Sequence, residues 1–250
     1  MSNTTLIVPC AGKSTRFPDS DPKWMLKNDY GQTMLSMAIE PYVNKVSRIV
    51  VAVTKEQFVK HRLLNFFLNN IQYPASLCVL EKQTSSAAET VYQTIQDQEI
   101  KGNIIIKDCD CYVDYPKEIS NNYIVGVDVK KSNDISRLEA KSFVKKDSND
   151  IITDIVEKKI VSGNICVGTY ACETENFCKS YRDLLQNPVF SSDVEIYVSY
   201  VFSKMILEGR SVFSYVEASK YLDWGTIEDW NANKSKINEW QDNLRIFRDD

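Results

Sequence analysis

Residues 5–26 read TLIVPCAGKSTRFPDSDPKWML, and this stretch decides the architecture. A short apolar run, Leu6–Pro9, leads into a turn of small residues holding Ala11, Gly12, Lys13, Ser14, Thr15 and Arg16. A Pro22-Lys23 pair follows, with Lys23 seven residues after Arg16. Backbone amides in such a turn can wrap a phosphate, and a nearby arginine and lysine can neutralise it. Two familiar phosphate loops are excluded. A P-loop needs a glycine five residues before Gly12, where this chain has Ile7. A dinucleotide fingerprint needs three glycines, whereas Gly12 stands alone and Lys13-Ser14-Thr15 crowd the turn. What remains is a strand, a phosphate-facing turn and a basic pair.

Outward from that turn, the first half of the chain alternates strand and helix. Strands are expected at Leu6–Pro9, Ile49–Thr54, Leu77–Leu80 and Ile104–Lys107, with helices at about 33–44, 56–69 and 86–97. Short β-branched runs separated by such helices predict βαβ units and a parallel sheet. From Tyr123 onward strands follow in series, YIVGVDV, KSFVKK, IITDIVEK and GNICVGTYAC, and these read as antiparallel additions. Helices at about 174–186 and 193–208, a strand at SVFSYVE and a closing helix from about 227 complete the pattern. No repeat, low-complexity tract or Gly/Pro-rich linker interrupts it. The expectation is one α/β domain over 1–250 with a Rossmann-like mixed sheet. Residues 1–122 form a nucleotide-binding half and 123–250 an acceptor-binding half.

Composition narrows the function. A net charge of −4 without blocks of like charge argues against a nucleic-acid partner. No apolar run approaches a membrane span and no leader-like segment opens the chain, so a cytoplasmic protein without a membrane partner is expected. Seven cysteines with no CxxC spacing read as reduced thiols. Cys109 and Cys111 lack the second pair that a zinc site needs. The single histidine, His61, lies in EQFVKHRLLNFFLNN and is expected on the polar face of a helix. Histidine-dependent triads and multi-histidine metal sites are therefore unsupported.

Ligands of parallel sheets bind at the carboxyl ends of strands, which places segments 10–16, 81–88 and 107–112 on one rim. In IIIKDCDCYVD, Asp108 and Asp110 follow a buried-type strand. Their spacing of two puts both on one side of an extended chain, suited to a Mg²⁺ ion. The competing reading is an ordinary strand-end turn. In YLDWGTIEDW, Thr226 can cap the closing helix with Glu228 and Asp229 in its first turn. Capping leaves Asp223 without a task, and it becomes a third candidate metal ligand. Glu157-Lys158 sets an acceptor beside a cation, suited to a sugar hydroxyl and a phosphate, or simply to a solvated strand end. Trp24, Tyr170, Trp224 and Trp230 can line an acceptor pocket, although aromatic residues so placed are more often core.

The segments VPCAGKSTRF, DPKWML, EKQTSSAAETV, IIIKDCDCYV, IVEKK, SGNICVGTYAC and YLDWGTIEDW occur in that order over nearly the whole chain. Together they resemble the sugar-nucleotidyltransferase (NDP-sugar pyrophosphorylase) family, in particular its small cytidylyltransferase-like members, and imply a GT-A-like fold. By that resemblance Pro9, Ala11, Gly12, Lys13, Ser14 and Thr15 form the nucleotide loop, and Arg16 and Lys23 are the catalytic cations. Gln83, Ser85, Ser86 and Ala87 hold the base, with Asp108 also on the nucleotide. Asp108, Asp110 and Asp223 hold the metal, Mg²⁺ with Mn²⁺ as an alternative. Glu157, Lys158, Asn164, Gly168 and Glu195 hold the acceptor.

The implied partners are a nucleoside triphosphate and a phosphorylated small molecule. A sugar 1-phosphate comes first, for surface polysaccharide precursors, and a phosphocholine-like or amino-acid phosphate is the alternative. Oligomeric state is left open, a homodimer among the options. Three positions depart from the family pattern. Ser14 replaces the second loop glycine, Ser85 stands where glycine is frequent, and Lys107 precedes the aspartate where glycine is frequent. Base preference is therefore not carried across. Two rivals remain: a GT-A glycosyltransferase, which releases no pyrophosphate, and a non-catalytic nucleotide-binding relative.

Overall fold

Ile, Val and Leu fill the runs that become the central strands. β1 (Thr4–Pro9), β2 (Arg48–Thr54), β3 (Ser76–Leu80) and β4 (Asn103–Lys107) lie in the order β4-β1-β2-β3, all parallel. The computed structural model describes residues 4–13, 16–17, 21–116, 121–131, 135, 137–187, 189–190 and 194–240.

Alternation along the strands feeds two apolar layers. Ile7, Val50, Ile104 and Ile106 pack to one side, under α4 (Ala87–Asp97), α5 (Thr174–Leu185) and α6 (Val198–Leu207). Leu6, Val8, Val51 and Ile105 face the other side, against α1 (Met34–Ile39) and α3 (Leu63–Asn70). Such a sheet is buried on both faces, which is why its strands read as continuous apolar runs. Each of these side chains contributes about 1.5–3 kcal/mol of burial.

The second half extends the sheet. β6 (Tyr123–Asp128) and β4 both pair antiparallel with the long β9 (Asn164–Glu173). β7 (Ser142–Lys146) pairs with β8 (Ile152–Glu157) and with β9. β10 (Ser214–Glu217) closes the edge, parallel to β6. The expected α/β architecture with a mixed sheet is the one observed.

Several expectations change in detail. The helix expected over 56–69 is two helices, α2 (Lys55–Lys60) and α3, broken where Arg62 turns to φ 49°. His61 therefore caps the end of α2 rather than sitting on a polar face, with Nδ1 3.4 Å from Asp21 Oδ1. The helix from 33 ends at Ile39, and a 3₁₀ turn, Glu40–Tyr42, takes over where Pro41 has no amide to continue the ladder.

Two strands escaped sequence analysis altogether: β5 (Cys111–Asp114) and β11 (Lys220–Asp223) form a separate antiparallel pair. α7 (Ile227–Asn233) follows, capped by Thr226, whose hydroxyl accepts from the Asp229 amide. Trp24, Tyr170, Trp224 and Trp230 are all buried, at 5% exposure or less, and of these Trp24 and Tyr170 also line a cleft at the strand ends.

Candidate active site

A cleft of about 770 Å³ opens along the carboxyl ends of β1 and β4 and continues to β8 and β9. On its first wall the turn after β1 is gripped from beneath. Cys10 donates its amide to Ala52, while the Trp24 ring N–H and the Gln57 amide reach the Cys10 carbonyl, each at 3.2 Å. Gln83 donates its side-chain amide to the Ala11 carbonyl. Pro9, Gly12, Lys13 and Arg16 line the cleft, whereas Ala11 is buried behind it. Ser14 and Thr15 lie outside the described residues. Ser85, Ser86 and Ala87 reach the cleft at the start of α4, but their side chains serve the helix. Ser86 caps it by accepting from the Glu89 amide, and Ser85 donates to Glu89 Oε2 at 2.6 Å.

The acidic centre is built on a turn, not on an extended strand as the spacing suggested. β4 ends at Lys107, residues 109–110 turn, and β5 leaves from Cys111. Lys107 lies beneath that turn with no exposed surface. Its ammonium donates to the carbonyls of Asp108 (2.6 Å) and Cys111 (2.8 Å) and approaches the Cys111 sulfur at 2.9 Å. The β5–β11 pair brings Asp223 opposite Cys111, and the Trp224 amide donates to the Asp110 carbonyl at 2.9 Å. A four-residue ladder thus joins two aspartates that are far apart in the chain.

Each of those carboxylates already meets a lysine. Lys23 donates to Asp110 Oδ2 at 2.5 Å, with Arg16 3.8 Å from the same oxygen. Lys141 pairs with Asp223 Oδ2, and Asp223 Oδ1 accepts from the Gly225 amide at 3.0 Å. Burial opposes ionisation of Asp110, yet Lys23 and then Arg16 outweigh it and hold the carboxyl well below the usual range. Asp108 goes the other way: burial, then the Asp110 charge, pushes it up to about 6. The half-buried Tyr221 phenol is raised by burial and then by Asp223, Cys111, Asp110 and Asp108.

Among the described residues, no three His, Cys, Asp or Glu side chains gather as a metal ion would need on their own. Asp110 and Asp223 nevertheless supply two hard oxygen donors a single rung apart. Mg²⁺ is commonly held by one or two carboxylates plus substrate phosphates, so this donor set fits it.

On the far wall, Glu157 Oε2 accepts from the hydroxyls of Ser142 and Ser199. Lys158 has φ 54° and lies over the Tyr197 ring at 4.1 Å, donating to its hydroxyl. Its amide donates to the Lys141 carbonyl at 3.0 Å, which couples the two lysines. Glu195 and Gly168 also line this wall. Asn164 does not; it opens β9 opposite Asp128 and Val144, outside the cleft.

Sequence analysis missed Arg137, Lys141, Tyr197, Ser142 and Ser199, all of which line the cleft. Lys141 carried one signal, a lysine heading the strand KSFVKK; the others carried none. All seven cysteines are buried and none forms a disulfide. No helix among the described residues is long and apolar enough to cross a membrane.

The chain matches no protein-family model. It matches no curated protein sequence. Its fold is shared with solved structures across nearly their whole length. The nucleoside-diphosphate-sugar pyrophosphorylase of Vibrio cholerae RC9 superposes with a TM-score of 0.74 at 18% identity, over 91% of this chain and 98% of that one. The inositol-1-phosphate CTP transferase of T. maritima gives 0.70 at 14% identity, over 94% and 93%. A UDP-glucose pyrophosphorylase complexed with UDP-glucose gives 0.70 at 14% identity, over 94% and 99%. At such identities the likeness is one of fold.

Proposed function

We propose that this chain is a nucleotidyltransferase of the sugar-nucleotide pyrophosphorylase type. It transfers NMP from a nucleoside triphosphate to a sugar 1-phosphate, giving an NDP-sugar and pyrophosphate. The observation that carries this reading is the meeting, through the β5–β11 pair, of Asp110 and Asp223 between the Arg16–Lys23 wall and the Glu157–Lys158 wall. Three nucleotidyltransferase structures with the same fold support it.

The chemistry follows from charge. An oxygen of the acceptor phosphate attacks the α-phosphorus, a new P–O bond forms, and the bond from that phosphorus to the bridging oxygen breaks. The electron pair leaves with the diphosphate. The nucleophile is already an anion at neutral pH, so no general base is needed, consistent with a cleft that holds no histidine. Catalysis is then positioning and neutralisation. Lys23 holds the α-phosphate side, while Arg16 and Lys13 take the departing charge. Glu157, fixed by two hydroxyls, accepts from a sugar hydroxyl, and Lys158 meets the acceptor phosphate. Asp110 and Asp223 would hold Mg²⁺, which supplies positive charge to the phosphate oxygens.

A cationic acceptor such as a phosphocholine-like molecule is the second reading, because Tyr197, Glu157 and Glu195 line the same cleft. Lys158, however, already lies over the Tyr197 ring, where such a headgroup would stack. That contact favours the sugar. An NDP-sugar product would serve glycan assembly.

The test is a matrix of the four common NTPs against sugar 1-phosphates, phosphocholine and amino-acid phosphates, read by pyrophosphate release with Mg²⁺. Release with a sugar 1-phosphate is expected. Turnover of a nucleotide sugar without pyrophosphate overturns the reading in favour of a glycosyltransferase.

A further inference from the structure

One side chain that does not line the cleft holds two carbonyls of the turn after β1. Gln57 Nε2 lies 3.2 Å from the Cys10 carbonyl and 3.5 Å from that of Gly12, while Oε1 accepts from the Thr54 amide at 2.9 Å. A backbone N–H can only donate, so Thr54 fixes which end of the Gln57 side chain is oxygen and leaves the nitrogen for the turn. Trp24 shares the Cys10 carbonyl, but among the described residues only Gln57 reaches the carbonyl of Gly12. Gln83 takes the Ala11 carbonyl in between.

The choice of glutamine is itself informative. Thr54 and Gln57 form a capping box at the start of α2, with the Thr54 hydroxyl accepting from the Gln57 amide at 3.1 Å. Glutamate serves such a box as well, and its charge suits a helix start better. Only glutamine can also donate. The cap accounts for the oxygen of Gln57, and the turn accounts for its nitrogen.

A trans peptide points its carbonyl and the N–H of the next residue in opposite directions, and no cis bond occurs among the described residues. With the Cys10 and Gly12 carbonyls drawn to Gln57, the amides of Ala11 and Lys13 face away from it. Among the described residues neither amide donates to a protein group. Cys10, Gly12 and Lys13 all line the cleft. Two unspent amides on one side of a turn suit a phosphate.

We propose that Gln57 is a positioning residue of the nucleotide turn: holding the Cys10 and Gly12 carbonyls, it aims the Ala11 and Lys13 amides at the phosphates of the bound triphosphate. This inference rests on the nucleotidyltransferase reading above and adds to it a residue that touches neither substrate. Donors fixed in advance need no rearrangement when the phosphate charge arrives.

Inorganic triphosphate, which carries no base, is the probe, titrated calorimetrically with Mg²⁺ into the wild-type protein, Gln57→Met, Gln57→Glu and Thr54→Ala. Gln57→Met keeps the length of the side chain and loses both polar ends. Gln57→Glu keeps the cap acceptor and loses the donor, whereas Thr54→Ala loosens the cap and leaves the Gln57 nitrogen in place. Both Gln57 variants are expected to bind triphosphate at least ~5-fold more weakly, the scale of one or two neutral hydrogen bonds. Thr54→Ala should stay within ~2-fold of wild type despite a lower urea midpoint, and Gln57→Glu should keep the wild-type midpoint. The KM for the NTP should rise in step in both Gln57 variants while the KM for the acceptor stays within ~2-fold. In isotopically labelled wild-type protein, the Ala11 and Lys13 amide protons should move downfield as triphosphate binds.

Wild-type affinity in Gln57→Met would overturn the proposal. So would a loss confined to Gln57→Glu, which would mark the added charge and not the missing donor. A loss in Thr54→Ala equal to that in Gln57→Met would mean that Gln57 acts only through α2, and would overturn it too. A wild-type protein that binds no triphosphate, or binds it without moving either amide, has the same consequence. Gln57-dependent triphosphate binding in a protein that consumes no NTP would sink the nucleotidyltransferase reading and leave this role standing. Normal pyrophosphate release with an indifferent Gln57→Met would do the reverse.

Discussion

Gly168 lies so close to the side chain of Asp108 that a β-carbon on it would stand 2.6 Å from Asp108 Oδ2 and 2.8 Å from Asp108 Cβ. The Asp108 amide donates to the Gly168 carbonyl at 2.9 Å, and Gly168 holds φ 70°. Glycine is thus required twice, for its backbone and for the room it leaves. The family resemblance gave Gly168 to the acceptor; its geometry makes it the wall that seats Asp108. Gly168→Ala is expected to lower kcat about 100-fold, the scale of a displaced reacting group, with an unchanged far-ultraviolet circular dichroism spectrum. An unchanged kcat would contradict this role.

Lys107 is buried with its ammonium among the Asp108 carbonyl, the Cys111 carbonyl and the Cys111 sulfur. Its charge also opposes the rise that burial and Asp110 impose on the Asp108 carboxyl, and it adds to the effect of Lys23 and Arg16 on Asp110. Lys107→Met removes the donor from the two carbonyls and takes away a positive charge that favours both aspartates. Destabilisation of about 2–4 kcal/mol is expected by urea unfolding. A variant as stable as the wild type would show that the ammonium is not the staple of this turn.

Asp108 gives the protein a pH signature. Burial, then Asp110, raises its carboxyl to about 6 in the folded chain. In the unfolded chain it titrates near ~3.9. Between those values the folded state holds a proton that the unfolded state has lost, so this contribution to stability fades as pH rises through the window. Asp110, depressed by Lys23 and Arg16, works oppositely and loses its contribution as pH falls below the ordinary carboxylate range. In chelator-treated, metal-free buffer, Asp108→Asn should therefore raise Tm at pH 8, by roughly 2–4 °C for each kcal/mol relieved, and give no gain near pH ~4. The same gain at both pH values, read by scanning calorimetry, would contradict the assignment.

The parallel half of the fold was legible because β1 to β4 are buried on both faces and announce themselves as apolar runs. The break at Arg62 was not, since a single left-handed residue leaves apolar spacing intact on either side of it. β5 and β11 were hidden for a different reason. Each is four residues long, and each forms only because the other is there. Asp223 could be suspected by elimination, once capping had accounted for Thr226, but its partner on the other strand could not.

Arg137 and Lys141 illustrate the limit at the site itself. Nothing in its local sequence distinguishes Arg137 from a solvated basic residue, Lys141 showed only its place at the head of a strand, and only the fold brings both to the cleft. Conversely, Asn164 carried a motif position and stands outside the cleft.

Phosphorus NMR tests the central claim most directly. With the NTP and sugar 1-phosphate that the matrix identifies, Mg²⁺ and the wild-type chain, the spectrum should show pyrophosphate and a new sugar-linked diphosphate rising in equal amounts. Asp110→Asn should slow both at least ~100-fold, the scale of losing a preorganised charge. Equal growth of both signals at near-normal rate in Asp110→Asn, or nucleotide turnover without pyrophosphate in the wild type, would contradict the account.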